Sequence, residues 1–573
     1  MGVQNIEIAA MLTQLADLLE IEGENPFRVR AYRNAARLVE TLPRNVADMI
    51  AAGEDLSELP GIGEALARKL QEMVTTGHLA ALEKEEKHVP ASLSDLLKIP
   101  GLGPKRVHLI YEQLKIRTLT ELTKAARSGQ LRALPGFGEK TEALILRYLE
   151  ERKPGSQRIL LATAEQVIHP ILDQLKTAAG VTQVTVAGSF RRRLETLGDV
   201  DILVACPQSD EVMRLFVEGE EVVEVLARGT TKSSVILRSG LHVDLRVVPE
   251  SSYGAALHYF TGSKAHNIAI RSRGVKAGLK LNEYGIFRGN ERLAGRTEQE
   301  VFQAVGLPFI EPELRENRGE IEAAEKGALP HLVALTDIRG DLQSHTTATD
   351  GRNDLAAMAQ AAREKGYEYL AITDHSKRMT MVHGLNATRL ARELREIDTL
   401  NATFKGFRLL KSIEVDILDD GSLDLSDDIL SKLDVVVAAV HSRLTLSRDK
   451  QTERLIRAMD NPYVTILAHP TGRLINERQP MDIDMELLLK AAKERRCAVE
   501  VNAQPTRLDL NDVACRMAHD MGVKVAISTD AHSVPELDLM RHGIAQARRG
   551  WLTADDVINT RSWKDLELLT RRV

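Results

Sequence analysis

Gly198-Asp199-Val200-Asp201-Ile202-Leu203 sets two aspartates one residue apart in an apolar run, and Asp244 lies in a second such run, His242-Val243-Asp244-Leu245-Arg246-Val247-Val248. Alternate residues of a strand share a face, so Asp199 and Asp201 project together. Side-by-side carboxylates repel unless a cation lies between them, and Asp244 completes a three-carboxylate cradle. Such a cradle suits hard Mg2+ ions that also hold substrate phosphates, the two-metal arrangement for in-line phosphoryl displacement. An Asp-x-Asp pair alone is equally at home on a solvated strand face. The turn Gly188-Ser189 just before it, with Arg192 nearby, adds the backbone and cationic donors that a triphosphate needs.

A second set of chemical residues runs from His345 to His532. Leu370 to Ile372 ends at Thr373-Asp374-His375, Val435 to Val440 at His441, Val464 to Ala468 at His469, and Val523 to Ile527 at Ser528-Thr529-Asp530-Ala531-His532. Gly340-Asp341-Leu342-Gln343-Ser344-His345 and Ile413-Glu414-Val415-Asp416 add two more such segments. Strands that deliver side chains at their carboxyl ends are how barrel enzymes build sites. A lone histidine at a strand end is usually a hydrogen-bonded rim residue. Repetition of the pattern, together with Asp350, Glu414 and Asp530, points instead to metal binding, and mixed imidazole and carboxylate ligands favour Zn2+, Mn2+ or Fe2+ over Mg2+ alone. The carboxylate cradle is suited to making a phosphodiester and the histidine set to breaking one.

The elements that must position these groups need several domains, since 573 residues exceed a single core. Lys plus Arg (76) nearly balances Asp plus Glu (82), so a nucleic-acid surface has to come from local clustering of basic residues. Such a surface is suggested by a repeat in the first quarter. Leu59-Pro60-Gly61-Ile62-Gly63, Ile99-Pro100-Gly101-Leu102-Gly103 and Leu134-Pro135-Gly136-Phe137-Gly138 each open a helical pattern. Glycines there allow a tight turn whose backbone N–H groups face a phosphate at a helix start. Three ordinary helix connections are the plainer reading of any one copy; the repetition favours DNA binding. Cys206, Cys497 and Cys515 show no metal-finger or disulfide spacing, which fits a reducing compartment. Met1 to Glu20 reads as an amphipathic helix without the features of a signal peptide, and no stretch is long and apolar enough to span a membrane. A soluble, cytoplasmic protein is expected, nucleoid-associated when bound to DNA.

The three hairpins resemble helix-hairpin-helix motifs. Ala187 through Leu203, Val243-Asp244, Tyr259-Phe260-Thr261-Gly262-Ser263 and Asn282-Glu283-Tyr284-Gly285 resemble the nucleotidyltransferase core of family X DNA polymerases, and the resemblance covers about residues 1 to 318. It implies that Asp199, Asp201 and Asp244 hold two metals, Mg2+ or Mn2+, with Asp244 placed to assist the primer 3′-hydroxyl. It further implies that Gly188, Ser189 and Arg192 hold the triphosphate of the dNTP, that Tyr259, Phe260 and Gly262 line its sugar, and that Asn267 and Arg271 face the nascent pair. Lys264, Ile268 and His242 depart from the animal repair polymerase, which puts base contact and the polarisation of Asp244 in question. Phe27 to Arg33 and Leu59 to Leu70 resemble that enzyme's lyase domain. Lys69 falls at the Schiff-base lysine, although Ala65 replaces a phosphate-binding lysine and a solvated helix residue is as good a reading of Lys69. Arg28, Arg30, Arg33 and Arg68 form a basic surface suited to the 5′-phosphate of a gap.

Thr373-Asp374-His375-Ser376 and Ser528-Thr529-Asp530-Ala531-His532 resemble the PHP (polymerase and histidinol phosphatase) domain, over about residues 337 to 573. The resemblance implies a distorted seven-stranded barrel holding three metals, with ligands His345, Asp350, His375, Glu414, His441, His469, Asp530 and His532. Gln343 departs from the usual His-x-His opening and offers a weaker ligand. The expected architecture is multidomain α/β. A helical lyase-like domain with one helix-hairpin-helix (1–85) leads to a fingers-like helical domain with two more (86–157). A family X nucleotidyltransferase palm (158–250), a small thumb (251–318), a linker (319–336) and a distorted (β/α)7 PHP barrel (337–573) follow. The expected function is a DNA-directed DNA polymerase filling short gaps in repair. It is expected to act as a monomer on gapped or nicked double-stranded DNA, with the barrel a 3′-5′ exonuclease, 3′-phosphatase or abasic-site endonuclease. A small-molecule phosphatase and a catalytically silent scaffold are the alternatives for the barrel.

Overall fold

Ile8, Leu12, Leu15 and Leu19 recur at three- and four-residue spacing along the helix Asn5–Ile21, and all four are fully buried. That stripe nucleates the first of two compact units in the computed structural model, Met1–Arg158 with Arg238–Gly240; the second is Ile159–Leu237 with Leu241–Val573. The structure describes residues 5–41, 46–59, 61–97, 99, 102–151 and 158–570. The first unit is helical among its described residues 5–151, and one core runs from Ile8 to Ile145, joining residues from both sides of position 85. Gly63 caps the helix Glu64–Thr76 and Gly103 caps Pro104–Leu114, while Gly138 directly precedes Glu139–Glu151. Gly61 and Gly136 take φ of 72° and 80°, where an L side chain costs about 1–2 kcal/mol. Pro60, Pro100 and Gly101 lie outside the described residues.

The second unit opens with the palm. Its five-stranded sheet runs Gln183–Val186, Asp199–Ala205, His242–Val248, Lys232–Leu237, Val222–Arg228 in space, with only the Asp199–Ala205 and His242–Val248 pair parallel. The thumb adds the helix Lys264–Lys276, a three-stranded antiparallel sheet over 280–294 and the helix Glu298–Ala304. Gly254, in the helix Tyr253–Thr261, lets that helix meet the thumb, since a Cβ there would lie 2.1 Å from the backbone carbon of Thr297. The stretch 319–336, expected as a linker from its Gly and Glu content, is packed on both sides. Glu320 is buried against His266 Nδ1 at 2.7 Å, Ala324 and Leu332 join a core with Phe302 and Trp551, and Val333 N–H donates to Leu552 O.

Seven parallel strands follow in sequence order: Gly340–Asp341, Tyr369–Ile372, Arg408–Asp416, Val435–Ala439, Ile466–Leu467, Ala498–Asn502 and Val525–Ser528. A helix separates each from the next, and the strands are buried on both faces, which explains why they read as unbroken apolar runs rather than alternating ones. Ser344 bridges Ala531, and His345 N–H donates to Ala531 O at 2.8 Å, which brings the first and last strands together into a nearly closed barrel. Two of the strands, Gly340–Asp341 and Ile466–Leu467, are only two residues long.

Candidate active sites

In the palm, parallel register sets Asp199 opposite His242 and Asp201 opposite Asp244. The two strands, neighbours in the interior of the sheet, therefore bring all three carboxylates together, although residues 201 and 244 are far apart in the chain. The turn after Gln183–Val186 closes over them. Gly188 has φ +63°, and a Cβ there would lie 2.7 Å from Asp201 Oδ2, so only glycine lets the one-turn helix Gly188–Arg191 pack on that carboxylate. Burial, then the neighbouring Asp199 and Asp244, push Asp201 up to about 6. Burial also acts to raise Asp244, but Lys232 Nζ at 2.8 Å and the Ser234 hydroxyl, which donates at 2.5 Å, outweigh it and hold the carboxyl below its ordinary value. His242, the departure from the animal enzyme, stands 3.4 Å from Asp244, so Lys232 and Ser234 are the residues that fix this carboxylate.

Arg192 donates through Nε to Glu316 Oε1 at 3.0 Å and through Nη1 to Thr261 O at 2.5 Å. Gly262, at φ +68°, passes so close that a Cβ would lie 3.2 Å from Arg192 Nη1. Tyr259 and Phe260 meet edge to face, Arg246 lies 4.4 Å over the Phe260 ring, and Tyr259 O accepts from Asn267 Nδ2 at 2.6 Å. Tyr259, Asn267, Arg271 and Asn282 line one cleft. Ser189 is half-buried in the Gly188–Arg191 turn.

The first unit keeps Arg28 and Arg68 exposed and Lys69 half-buried on the helix Glu64–Thr76. Arg33 departs from the expected basic surface: its guanidinium is held by Asp17 at 2.8 Å and by Glu20 on the preceding helix, an ion pair within the fold. No side chain caps the helix starts at Gly63 or Gly103, and a Cβ at either glycine would meet nothing within 4 Å.

The barrel gathers the whole histidine set. Glu414, fully buried, faces His375 Nδ1 at 3.0 Å, His469 Nε2 at 3.0 Å, His441 Nε2 at 3.3 Å and His345 Nε2 at 3.6 Å. Asp350 faces His375 at 3.3 Å and His532 at 3.4 Å, and Asp530 faces His345 at 3.1 Å. The His345 ring stacks between those of His375 and His532. Burial alone would lower His532, yet Asp350 and Asp530 raise it to about 10, and Asp350 itself is held far below the ordinary carboxylate range. Against burial, neighbouring carboxylates likewise raise His375 and His441, while burial lowers His469, and the negative charge crowded here is what a multivalent cation would offset. His345 Nδ1 and Glu500 Oε1 are buried without a hydrogen-bond partner among the described residues. The donor set therefore fits a metal cluster. Gln343 is fully buried, and neither of its amide atoms has a partner among the described residues.

Three carboxylates about the cluster were not assigned from the chain alone. Asp416 faces His441 Nδ1 at 3.0 Å and Arg378 at 3.1 Å, the outer partner that sets an imidazole's tautomer. Asp374 accepts from Thr346 N–H at 2.9 Å and orders the loop that carries Asp350. Glu500 accepts from His469 N–H at 2.6 Å, and burial, then Asp530, raise it well above its ordinary value. Each had a signal: Asp416 shares a strand face with Glu414, Asp374 directly precedes His375, and Glu500 is a lone carboxylate in an apolar strand. Arg473 donates to Glu195 of the palm at 2.7 Å and to Leu508 O.

Comparison with known proteins gives matches to a helix-hairpin-helix domain over residues 3–79, a SAM-like helix-hairpin-helix tandem over 93–151, the DNA polymerase beta palm over 158–257 and the DNA polymerase beta thumb over 256–316. The chain is 38% identical to the DNA polymerase/3′-5′ exonuclease PolX of Bacillus subtilis over 570 residues, 99% of both chains. It is 27% identical to DNA polymerase lambda of Arabidopsis thaliana over 54% of this chain and 62% of that one. A probable phosphatase of Thermoanaerobacter sp. is 30% identical over 244 residues, 40% of this chain and 95% of the relative.

Proposed function

The chain belongs to the family X DNA polymerases of the PolX type, and from that membership we propose that the Asp199, Asp201 and Asp244 cradle extends a primer while the barrel cluster removes its 3′ end. The protein is a gap-filling DNA polymerase with a PHP 3′-5′ exonuclease domain, acting on DNA and nucleotides with divalent metals. The observation that carries the palm assignment is the parallel register that pairs Asp201 with Asp244 beneath the Gly188 turn.

Asp244, oriented by Ser234 and Lys232, is the carboxylate placed to accept the proton of the primer hydroxyl. The N–H groups of the Gly188-Ser189 turn and the Arg192 guanidinium bind the triphosphate, and Tyr259, Phe260 and Gly262 bound the sugar. Asn267 and Arg271 face the base pair. In the barrel, Asp416 orients His441, and His469 and Glu500 hold the floor of the cluster. Divalent ions, Mg2+ or Mn2+ on the palm aspartates and Mn2+, Zn2+ or Fe2+ on the barrel ligands, offset negative charge on phosphoryl oxygens when bound.

Gly61, Gly63, Gly101, Gly103, Gly136 and Gly138, with Arg28 and Arg68, hold the backbone of gapped or nicked DNA, and Lys69 is a candidate for lyase chemistry. The protein acts as a monomer in the cytoplasm. No helix among the described residues is long and apolar enough to cross a membrane. The relationship of the barrel to a probable phosphatase favours a second reading of the same cluster, removal of a 3′-phosphate. One experiment tests these readings together: primer extension on a gapped duplex, 3′-nucleotide release and 3′-phosphate release, measured on one preparation. Loss of extension in Asp199→Ala with release intact supports the division of labour. Extension at the normal rate overturns the palm assignment.

A further inference from the structure

The barrel helix Met540–Arg549 follows the last ligand segment after one 3-10 stretch and ends against the palm. Its final residue, Arg549, is buried. Nη1 donates to the backbone carbonyl of Arg192 at 2.7 Å and to Glu316 Oε1 at 3.0 Å, and Nη2 donates to Asp512 Oδ2 at 2.6 Å. Arg192 donates through Nε to that same Glu316 oxygen at 3.0 Å. One carboxylate oxygen thus holds two guanidinium groups, one from each domain. The Arg192 carbonyl lies at the end of the one-turn helix Gly188–Arg191, where carbonyls lack intrahelical donors, and Arg549 supplies one.

We propose that Arg549 is a positioning residue for nucleotide addition, a barrel side chain that fixes both the backbone and the side chain of Arg192 and so presets the seat of the incoming triphosphate. The inference rests on the reading of Arg192 as a triphosphate-binding cation. An arginine left to choose among rotamers loses that freedom on binding its ligand; a planar fork anchored on Asp512 and Glu316 removes the loss beforehand. Asp512 is in turn held by Arg318 at 2.9 Å, so the anchor is braced from the segment that follows the thumb. Arg541, on the same helix, reaches Glu165 of the palm at 3.5 Å; among the described residues no hydrogen bond or ion pair joins it to Arg192, which makes it the matched control for loss of a palm-to-barrel ion pair.

The test is single-nucleotide insertion on a gapped duplex by the full chain, with dNTP KM and kcat resolved and 3′ release measured alongside. Arg549→Met should raise KM about tenfold, as expected for a lost charge-assisted hydrogen bond, with a smaller change in kcat and with 3′ release retained. Arg549→Lys should recover part of the affinity, and Arg541→Ala should leave KM at the wild-type value. In an Arg192→Ala background, Arg549→Met should add less than it does in the wild type, because the part of the effect that passes through the Arg192 side chain is already lost. An unchanged KM in Arg549→Met, an equal rise in Arg541→Ala, or a full additional rise on top of Arg192→Ala overturns the proposal. Should Arg549→Met fail to fold, Arg549→Lys decides: a wild-type KM there overturns it. A wild-type KM in Arg192→Ala alone overturns the reading of the nucleotide site itself.

Discussion

The palm and the barrel solve opposite problems with the same class of residue. The palm sets three carboxylates on two neighbouring interior strands of its sheet, Asp199 exposed and the other two half-buried, with neighbouring cations tied to Asp244, Glu316 or an aromatic face. The barrel buries Glu414, Asp530, His345 and His469 together at the carboxyl ends of parallel strands. A site that offers only carboxylates relies on its substrate's phosphates to complete coordination, so it works when the nucleotide arrives. One lined with imidazoles as well would supply more ligands of its own to a bound metal.

The strongest way to break this comparison is to remove one palm carboxylate. Asp201→Asn should lower nucleotide insertion by on the order of a thousandfold, since it takes charge from the centre that stabilises the reacting phosphate. Its 3′ release should stay within about twofold of the wild type, because effects at sites without shared partners are independent. A parallel fall in both activities would show one centre instead of two. His345→Ala with Asp530→Ala should lower 3′ release by at least about a hundredfold and reduce bound transition metal, with gap filling intact. Metal analysis and 3′ release on the same preparation decide it; full release would assign that chemistry elsewhere.

A smaller effect sharpens the comparison within the barrel. Asp416→Ala should weaken metal retention about tenfold by freeing the His441 ring, read as loss of metal on dialysis against a weak chelator. On the DNA side, Gly103→Val should leave the melting temperature near that of the wild type, since the position is open and its φ is negative, yet weaken gapped-duplex binding about fivefold at low salt. Unchanged affinity would make the hairpin a structural turn.

An effect on stability alone lies where palm and barrel join. Burial, opposed by Glu165, lowers His542 to about 4 against an ordinary value of 6.5. The unfolded chain therefore binds the proton first as pH falls. Stability from this group is complete above about 6.5 and is lost on acidification toward 4, by up to a few kcal/mol. Melting curves from pH 7 to 4 should show a shallower decline in His542→Gln; parallel curves would remove His542 as a source of the acid sensitivity.

Periodicity made much of this legible. Asp199 and Asp201 alternate in an apolar run, and the barrel ligands close their strands, so local sequence is enough to aim those side chains. The hairpin glycines at 61 and 136 are similarly local, because a positive φ is a property of one residue and its turn. Glu500 and Asp416 escaped assignment because a buried carboxylate declares its purpose only through its neighbours, and those neighbours come from other strands. The stretch 319–336 read as a linker because glycine and glutamate look solvated in a sequence; Glu320 is instead buried by His266, more than fifty residues earlier.

By itself, then, the sequence determined which carboxylates and imidazoles stand at strand ends, since backbone geometry repeats over two to four residues. Only the tertiary structure decided how they are held. The pairing of Asp201 with Asp244, the closure of the barrel at Ser344 and Ala531, and the grip of Arg549 on an arginine 357 residues earlier each depend on register or packing between distant segments. A carboxylate or guanidinium accepts any partner of suitable charge, and the chain order does not say which partner folding will supply.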